Sequence, residues 1–181
     1  MEELIVLVDQ IGNKIGTADK YLSHNKNTPL HLAFSCYVFN EKGEFLITRR
    51  ALIKKVWPRV WTNSVCGHPG PGEGTIDAIK RRLKEELGMT AGDFRIMLPK
   101  YRYKTPPYNG IIENEICPVY IARLETMSQI NPDEVEAIRW VKWQDYVLEV
   151  ESDDSNNFSW WCKDQLKQIR DNPLITIYTK K

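Results

Sequence analysis

The segment from Gly67 to Met89 constrains the fold of this chain more than any other, because a glycine- and proline-rich loop runs there into an amphipathic stretch. Ile76, Ile79, Leu83 and Leu87 stand at i, i+3, i+7 and i+11, one apolar stripe of a helix over Thr75 to Leu87. Gly74 or Thr75 can cap its start, and Gly88 suits the left-handed position past its end. Arg82 and Glu86 lie one turn apart on the flank of the stripe, so they project together beside the core.

The remainder reads as mixed α and β. Leu4 to Val8 is a buried strand with a turn at Gly12-Asn13 after it. Leu32 to Phe39 and Phe45 to Arg49 are strands flanking a hairpin turn at Asn40-Glu41-Lys42-Gly43. Ile111 to Ile121 and Ala137 to Trp143 are further strands, and Asp145 to Val150 and Trp160 to Ile169 are helices. Asp153 to Asn157 is a polar surface loop. No linker divides the chain, so residues 1–181 are expected to form a single domain.

Charge and composition exclude several classes. With 25 basic and 24 acidic residues, the chain lacks the basic excess of nucleic-acid and membrane-surface proteins. Its longest apolar runs fall far short of the roughly 20 residues that span a bilayer. Met1-Glu2-Glu3 offers no basic region before an apolar stretch, so a cytoplasmic location is expected. In that reducing setting Cys36, Cys66, Cys117 and Cys162 are free thiols. Three of them read as small buried hydrophobes; Cys66, beside Gly67 and His68, stands apart.

Gly67 to Met89 resembles the Nudix box, G-x5-E-x7-R-E-U-x-E-E-x-G-U with U a bulky aliphatic. Gly67, Glu73, Arg81, Leu83, Glu85, Glu86, Gly88 and Met89 stand in register. The resemblance implies an α+β fold: a Nudix-type α/β/α sandwich with a mixed central sheet, the loop–helix–loop and additional helices. One position departs. Arg82 stands where Nudix hydrolases carry the first glutamate of R-E-U-x-E-E. A carboxylate that would hold a divalent ion is exchanged for a fixed cation, so diphosphate recognition is kept and hydrolysis weakened.

The wider pattern is more specific. Asn63-Ser64-Val65-Cys66-Gly67-His68-Pro69, Glu113-Asn114-Glu115, Thr48-Arg49-Arg50-Ala51, and His24 and His31 together resemble the type I isopentenyl-diphosphate isomerases. The similarity runs from Lys20-Tyr21 to Phe158-Ser159-Trp160-Trp161. Glu113 and Glu115, like Cys66 and His68, are two apart, a spacing that puts both side chains on one face of a strand. Three imidazoles and two carboxylates form a mixed N/O set suited to Mn²⁺, Zn²⁺ or Mg²⁺. The resemblance implies that His24, His31, His68, Glu113 and Glu115 ligate one such ion, so that every histidine of the chain meets the same metal. It implies that Lys20, Arg50, Lys54 and Arg82 grip the diphosphate, with Glu86 holding a Mg²⁺ against its oxygens.

The reaction so implied is a 1,3-allylic proton shift between isopentenyl and dimethylallyl diphosphate. An alkene is a feeble base, and protonating it gives a tertiary carbocation. The site therefore needs an acid and a base facing one another across a dry apolar slot. Cys66 and Glu115, with Tyr103 as a relay, resemble that machinery, and the sequence leaves open which of them protonates the alkene. An indole stabilises a carbocation without trapping it. Trp161 matches the family tryptophan, but the family's Ser-Pro-Trp is here Ser159-Trp160-Trp161, which leaves Trp160 as the other choice. The expected partner is a C5 diphosphate rather than nucleic acid or membrane, and the expected state is a monomer or weak homodimer. Two rivals stand beside this reading: a Nudix hydrolase of a diphosphate, and a non-catalytic diphosphate-binding module.

Overall fold

A computed structural model describes residues 3–180. In chain order its first elements are β1 (Leu4–Val8), β2 (Lys14–Asp19), α1 (Lys20–Ser23), β3 (His31–Leu32), β4 (Phe34–Phe39) and β5 (Phe45–Arg50). Then come β6 (Trp61–Thr62), β7 (Val65–Gly67), α2 (Thr75–Leu87), β8 (Met89–Leu98) and β9 (Arg102–Lys104). The last are β10 (Asn114–Ile116), β11 (Val119–Met127), β12 (Val135–Val141), α3 (Trp143–Glu151), α4 (Trp160–Ile169) and α5 (Pro173–Thr179).

Alternation along β4 builds the layers. Phe34, Cys36 and Val38 point to one face and pack with Ala78, Ile79, Leu83 and Leu87 of α2. Tyr37 and Phe39 point to the other face and pack with Trp143, Tyr146, Trp161 and Leu166 of α3 and α4. Helices thus cover both faces of a mixed sheet, ordered β12-β5-β4-β11-β8, in which β4 and β11 run parallel. A second sheet, ordered β2-β1-β3-β10-β9, carries the histidine and glutamate segments.

Helices α2 and α4 have the boundaries the sequence predicts. Gly88 takes φ 54°, and a Cβ there would sit 2.4 Å from Ser128 Oγ. Other expectations need correction. Ile76 is 39% exposed, and Ala78 and Glu86 join the buried face instead. Leu32 to Phe39 is not one strand, because β3 pairs with β1 and β10 in one sheet while β4 pairs in the other. Ile111 to Ile121 divides the same way at Cys117-Pro118 between β10 and β11. Pro118 lacks an N–H and restricts Cys117, so the chain changes sheets there. The strand expected over Ala137 to Trp143 is Val135–Val141, and Trp143 opens α3, two residues before the expected helix start.

Candidate active site

Strand ends and the α2 loop converge on one cleft. Lys20, Arg50, Lys54, Cys66, His68, Arg82, Glu86, Tyr103, Glu113, Glu115 and Trp161 all line it, and His31 and His24 stand beside them in the His/Glu group.

The box residues around α2 fix the loop. Glu73 accepts two hydrogen bonds from Arg81 and one from the backbone N–H of Gly70, all at 2.8 Å. Arg81 Nη2 also donates to the carbonyl of His68 at 3.2 Å, which orients that histidine toward the cleft. A Cβ on Gly67 would lie 3.1 Å from both Arg82 Cγ and Phe34 Cζ, so glycine allows α2 to approach β7 this closely.

Ligand atoms of His24, His31, His68, Glu113 and Glu115 all lie within 4.8 Å of one another. His24 Nδ1–H donates to the carbonyl of Lys20, and His31 Nδ1–H donates to that of Pro29 at 2.9 Å. The Nε2 lone pairs are thereby turned toward carboxylates: His24 toward Glu113 Oε2 at 3.1 Å, His31 toward Glu115 Oε1 at 3.6 Å. His31 Nε2 and Glu113 Oε2 are buried with no hydrogen-bond partner. Lone pair facing lone pair is repulsive unless a cation lies between them. The group is therefore able to hold a divalent ion, and its donor set fits one.

Without an ion, a proton can take the cation's place between imidazole and carboxylate. Burial opposes charge on His24, but Glu113 outweighs it and raises the imidazole above its ordinary range. Burial dominates at His68 and pushes it down to about 4. Burial also works against the charge of Glu115, yet the imidazoles of His31 and His68 beside it hold that carboxylate well below the usual range. Tyr103, directly opposite Glu115 in the β9–β10 pair, stays protonated because burial and the Glu115 charge both raise it. Burial pushes the Cys66 thiol up to about 12, against hydrogen bonds with Ser35 and Asn63 that lower it.

Each of the four cations is engaged by protein. Lys20 Nζ meets Glu3 Oε1 at 2.8 Å, and Lys54 pairs with Glu134. Arg82 Nη2 lies 2.8 Å from Glu86 Oε1 and from Glu134 Oε2, while its Nη1 lies 3.1 Å from Glu85. Arg50 donates to the carbonyls of Val56 and Trp57, with its guanidinium 5.4 Å from the centre of the Trp161 ring. Burial raises the Glu86 carboxyl, with Arg82 opposing. Both Arg82 contacts to Glu86 fall on Oε1, so Oε2 takes no protein hydrogen bond among the described residues.

Of the two indoles, Trp161 lines the cleft and is 4% exposed; Trp160 stacks behind Tyr103 at 5.8 Å. Sequence reasoning missed Glu134 and Glu3, the carboxylates that pair the clamp. No motif or spacing marks either one; only the turn before β12 and the start of the chain bring them to the cleft.

Comparison with known proteins matches the NUDIX domain over residues 29–162. An isopentenyl-diphosphate delta-isomerase of Saccharopolyspora erythraea is 46% identical over 167 residues, covering 92% of this chain and 86% of the relative. The chain belongs to the isopentenyl-diphosphate delta-isomerase family. Within that family, an isomerase of Salmonella heidelberg is 52% identical over 139 residues, covering 77% of each chain. Solved structures share the fold at low identity. DR0079 from Deinococcus radiodurans superposes with a TM-score of 0.67 at 16% identity, covering 91% of this chain and 98% of that one. A MutT protein from Methanosarcina mazei gives 0.59 at 19%, covering 84% and 97%. The α+β Nudix sandwich is therefore the fold of this family member. Among the described residues, no helix is long and apolar enough to cross a membrane.

Proposed function

We propose that the chain acts as one domain that interconverts isopentenyl diphosphate and dimethylallyl diphosphate. The observation that carries this reading is the placement of Cys66 and Glu115 in one cleft, with cations for a diphosphate and an indole for a carbocation. Lys20, Arg50, Lys54 and Arg82 receive the diphosphate and fix the C5 chain between the proton-transfer groups. One group delivers a proton to the terminal alkene carbon: the π electrons form the new C–H bond and the cation develops at the tertiary carbon. The other group removes a proton from C2, and that electron pair becomes the new double bond. Because the reaction is reversible, Cys66 and the Glu115–Tyr103 pair exchange acid and base roles with direction. Trp161 offers its ring face to the developing cation, worth about 2 kcal/mol or more when desolvated. The apolar surround, including Val65 and Val135, keeps water from the cation.

His24, His31, His68, Glu113 and Glu115 are the residues that would hold Mn²⁺, Mg²⁺ or Zn²⁺. When bound, such an ion would supply positive charge beside Glu115, where the carboxyl and the Tyr103 hydroxyl carry the proton. Glu86, with Oε2 unengaged, would hold a Mg²⁺ whose charge offsets that of the diphosphate.

Arg82 argues against hydrolysis. It ties up Glu85 and Glu86, the helix carboxylates a hydrolase would use for metals. Incubation with isopentenyl diphosphate and Mg²⁺ in D₂O, followed by ²H and ³¹P NMR, tests the proposal. Deuterated dimethylallyl diphosphate with an intact diphosphate is expected. Release of phosphate would favour a hydrolase, and no change at all would favour a binding module.

A further inference from the structure

Cys66 is held by two neighbours whose own hydrogen bonds leave one arrangement open. Asn63 is fully buried, and its Nδ2 donates to the carbonyls of Cys36 at 3.2 Å and Val65 at 3.0 Å. Both amide hydrogens are thereby used, and Oδ1 is turned the other way. That oxygen accepts from Cys66 Sγ at 3.1 Å, from Trp161 Nε1 at 3.3 Å and from Thr62 Oγ1 at 3.0 Å. The thiol and the indole are tied to one atom.

Ser35, on β4, meets the same sulfur from its own strand. Its Oγ lies 3.3 Å from Cys66 Sγ and 3.5 Å from Cys117 Sγ. Gln165 Nε2 donates to Ser35 Oγ at 2.9 Å, and Gln165 Oε1 accepts from the Tyr37 hydroxyl at 3.0 Å. Ser35, Gln165 and Tyr37 are all 0% exposed, so water satisfies none of these groups. With its lone pair engaged by Gln165, Ser35 has its own hydrogen free for a sulfur. The Cys66 hydrogen goes to Asn63, which leaves a Cys66 lone pair to receive the one from Ser35.

We propose that Asn63 and Ser35 are positioning residues for the isomerisation: Ser35 fixes the Cys66 sulfur, and Asn63 fixes both the thiol hydrogen and the Trp161 ring. The spacing between the proton carrier and the cation-stabilising face is then set by one amide oxygen. This rests on the isomerase reading. A purely structural Asn63 needs only its Nδ2 bonds; the three contacts on Oδ1 all run to the cleft wall.

The test is steady-state kinetics of Asn63→Ala and Ser35→Ala with isopentenyl diphosphate, beside ¹⁵N NMR of the tryptophan Nε1–H signals. No clamp cation touches Asn63 or Ser35 among the described residues, so KM should stay within about twofold while kcat falls about 100-fold for Asn63→Ala and about tenfold for Ser35→Ala. The Trp161 Nε1–H signal should move in Asn63→Ala. If Asn63→Ala does not fold, Asn63→Ser and Ser35→Ala carry the test. Unchanged kcat in folded variants, kcat and KM changing together, or an unmoved Trp161 signal would each overturn the positioning role. Absence of turnover in the parent protein would instead overturn the isomerase reading, and the NMR arm still decides the Asn63 contact.

Discussion

Two regions of the cleft handle charge in opposite ways. In the His/Glu group, Nε2 lone pairs of His24 and His31 are aimed at carboxylate oxygens, and His31 Nε2 and Glu113 Oε2 are buried without partners. In the clamp, Lys20, Lys54 and Arg82 are already paired with Glu3, Glu134, Glu85 and Glu86. The first region is buried and short of positive charge. The second is partly exposed and internally neutralised, so an incoming diphosphate must compete with carboxylates for its cations. On the proposed reading, a Mg²⁺ held by Glu86 would offset that competition.

His31→Ala should separate the two regions most strongly. His31 is 0% exposed, and its loss leaves Glu115 with a buried charge and a ligand missing. Metal content by elemental analysis should fall below one ion per chain, and turnover should be lost. Pyrophosphate binding, measured by calorimetry, should persist. Next in size, Glu86→Gln should weaken Mg²⁺-dependent pyrophosphate binding about tenfold while leaving the metal of the His/Glu group in place. Equal affinity across a Mg²⁺ titration would count against that role. Ionic strength separates the regions without mutation. Going from about 0.1 M to about 1 M salt shortens the screening length from about 10 Å to about 3 Å. Pyrophosphate affinity should drop several-fold, while metal retained after dialysis stays constant.

The smallest effect concerns acid. Burial holds His68 at about 4 against an ordinary value of 6.5. Between these values the unfolded chain takes up a proton that the folded imidazole refuses, so metal-free protein loses stability as pH falls through that window. The depressed Glu115 adds a loss of the same sign below 4.5. His68→Asn, melted in EDTA across that range, should show a flatter dependence of Tm on pH.

Local pattern carried much of the fold. Helices α2 and α4 were legible because apolar periodicity and capping residues are local. The division into two sheets was not, because the apolar run continues through Ala33 and through Cys117, with no local sign that the chain changes partners there. Cys66, His68, Glu113 and Glu115 were legible because spacing and motif coincide. Glu134 was hidden, since only tertiary folding brings it to Lys54 and Arg82. Asn63 lies inside a recognisable motif, yet its importance rests on which way its amide points, and that follows from the Cys36 and Val65 carbonyls alone.

On the proposed mechanism, binding and proton transfer are separate functions of one cleft, and the Cys66→Ala variant should divide them. With turnover followed by NMR in D₂O and pyrophosphate binding by calorimetry, kcat should fall by about 10² to 10⁴. Metal content and pyrophosphate affinity should match those of the parent. Turnover retained in Cys66→Ala would rule out the thiol as a proton carrier.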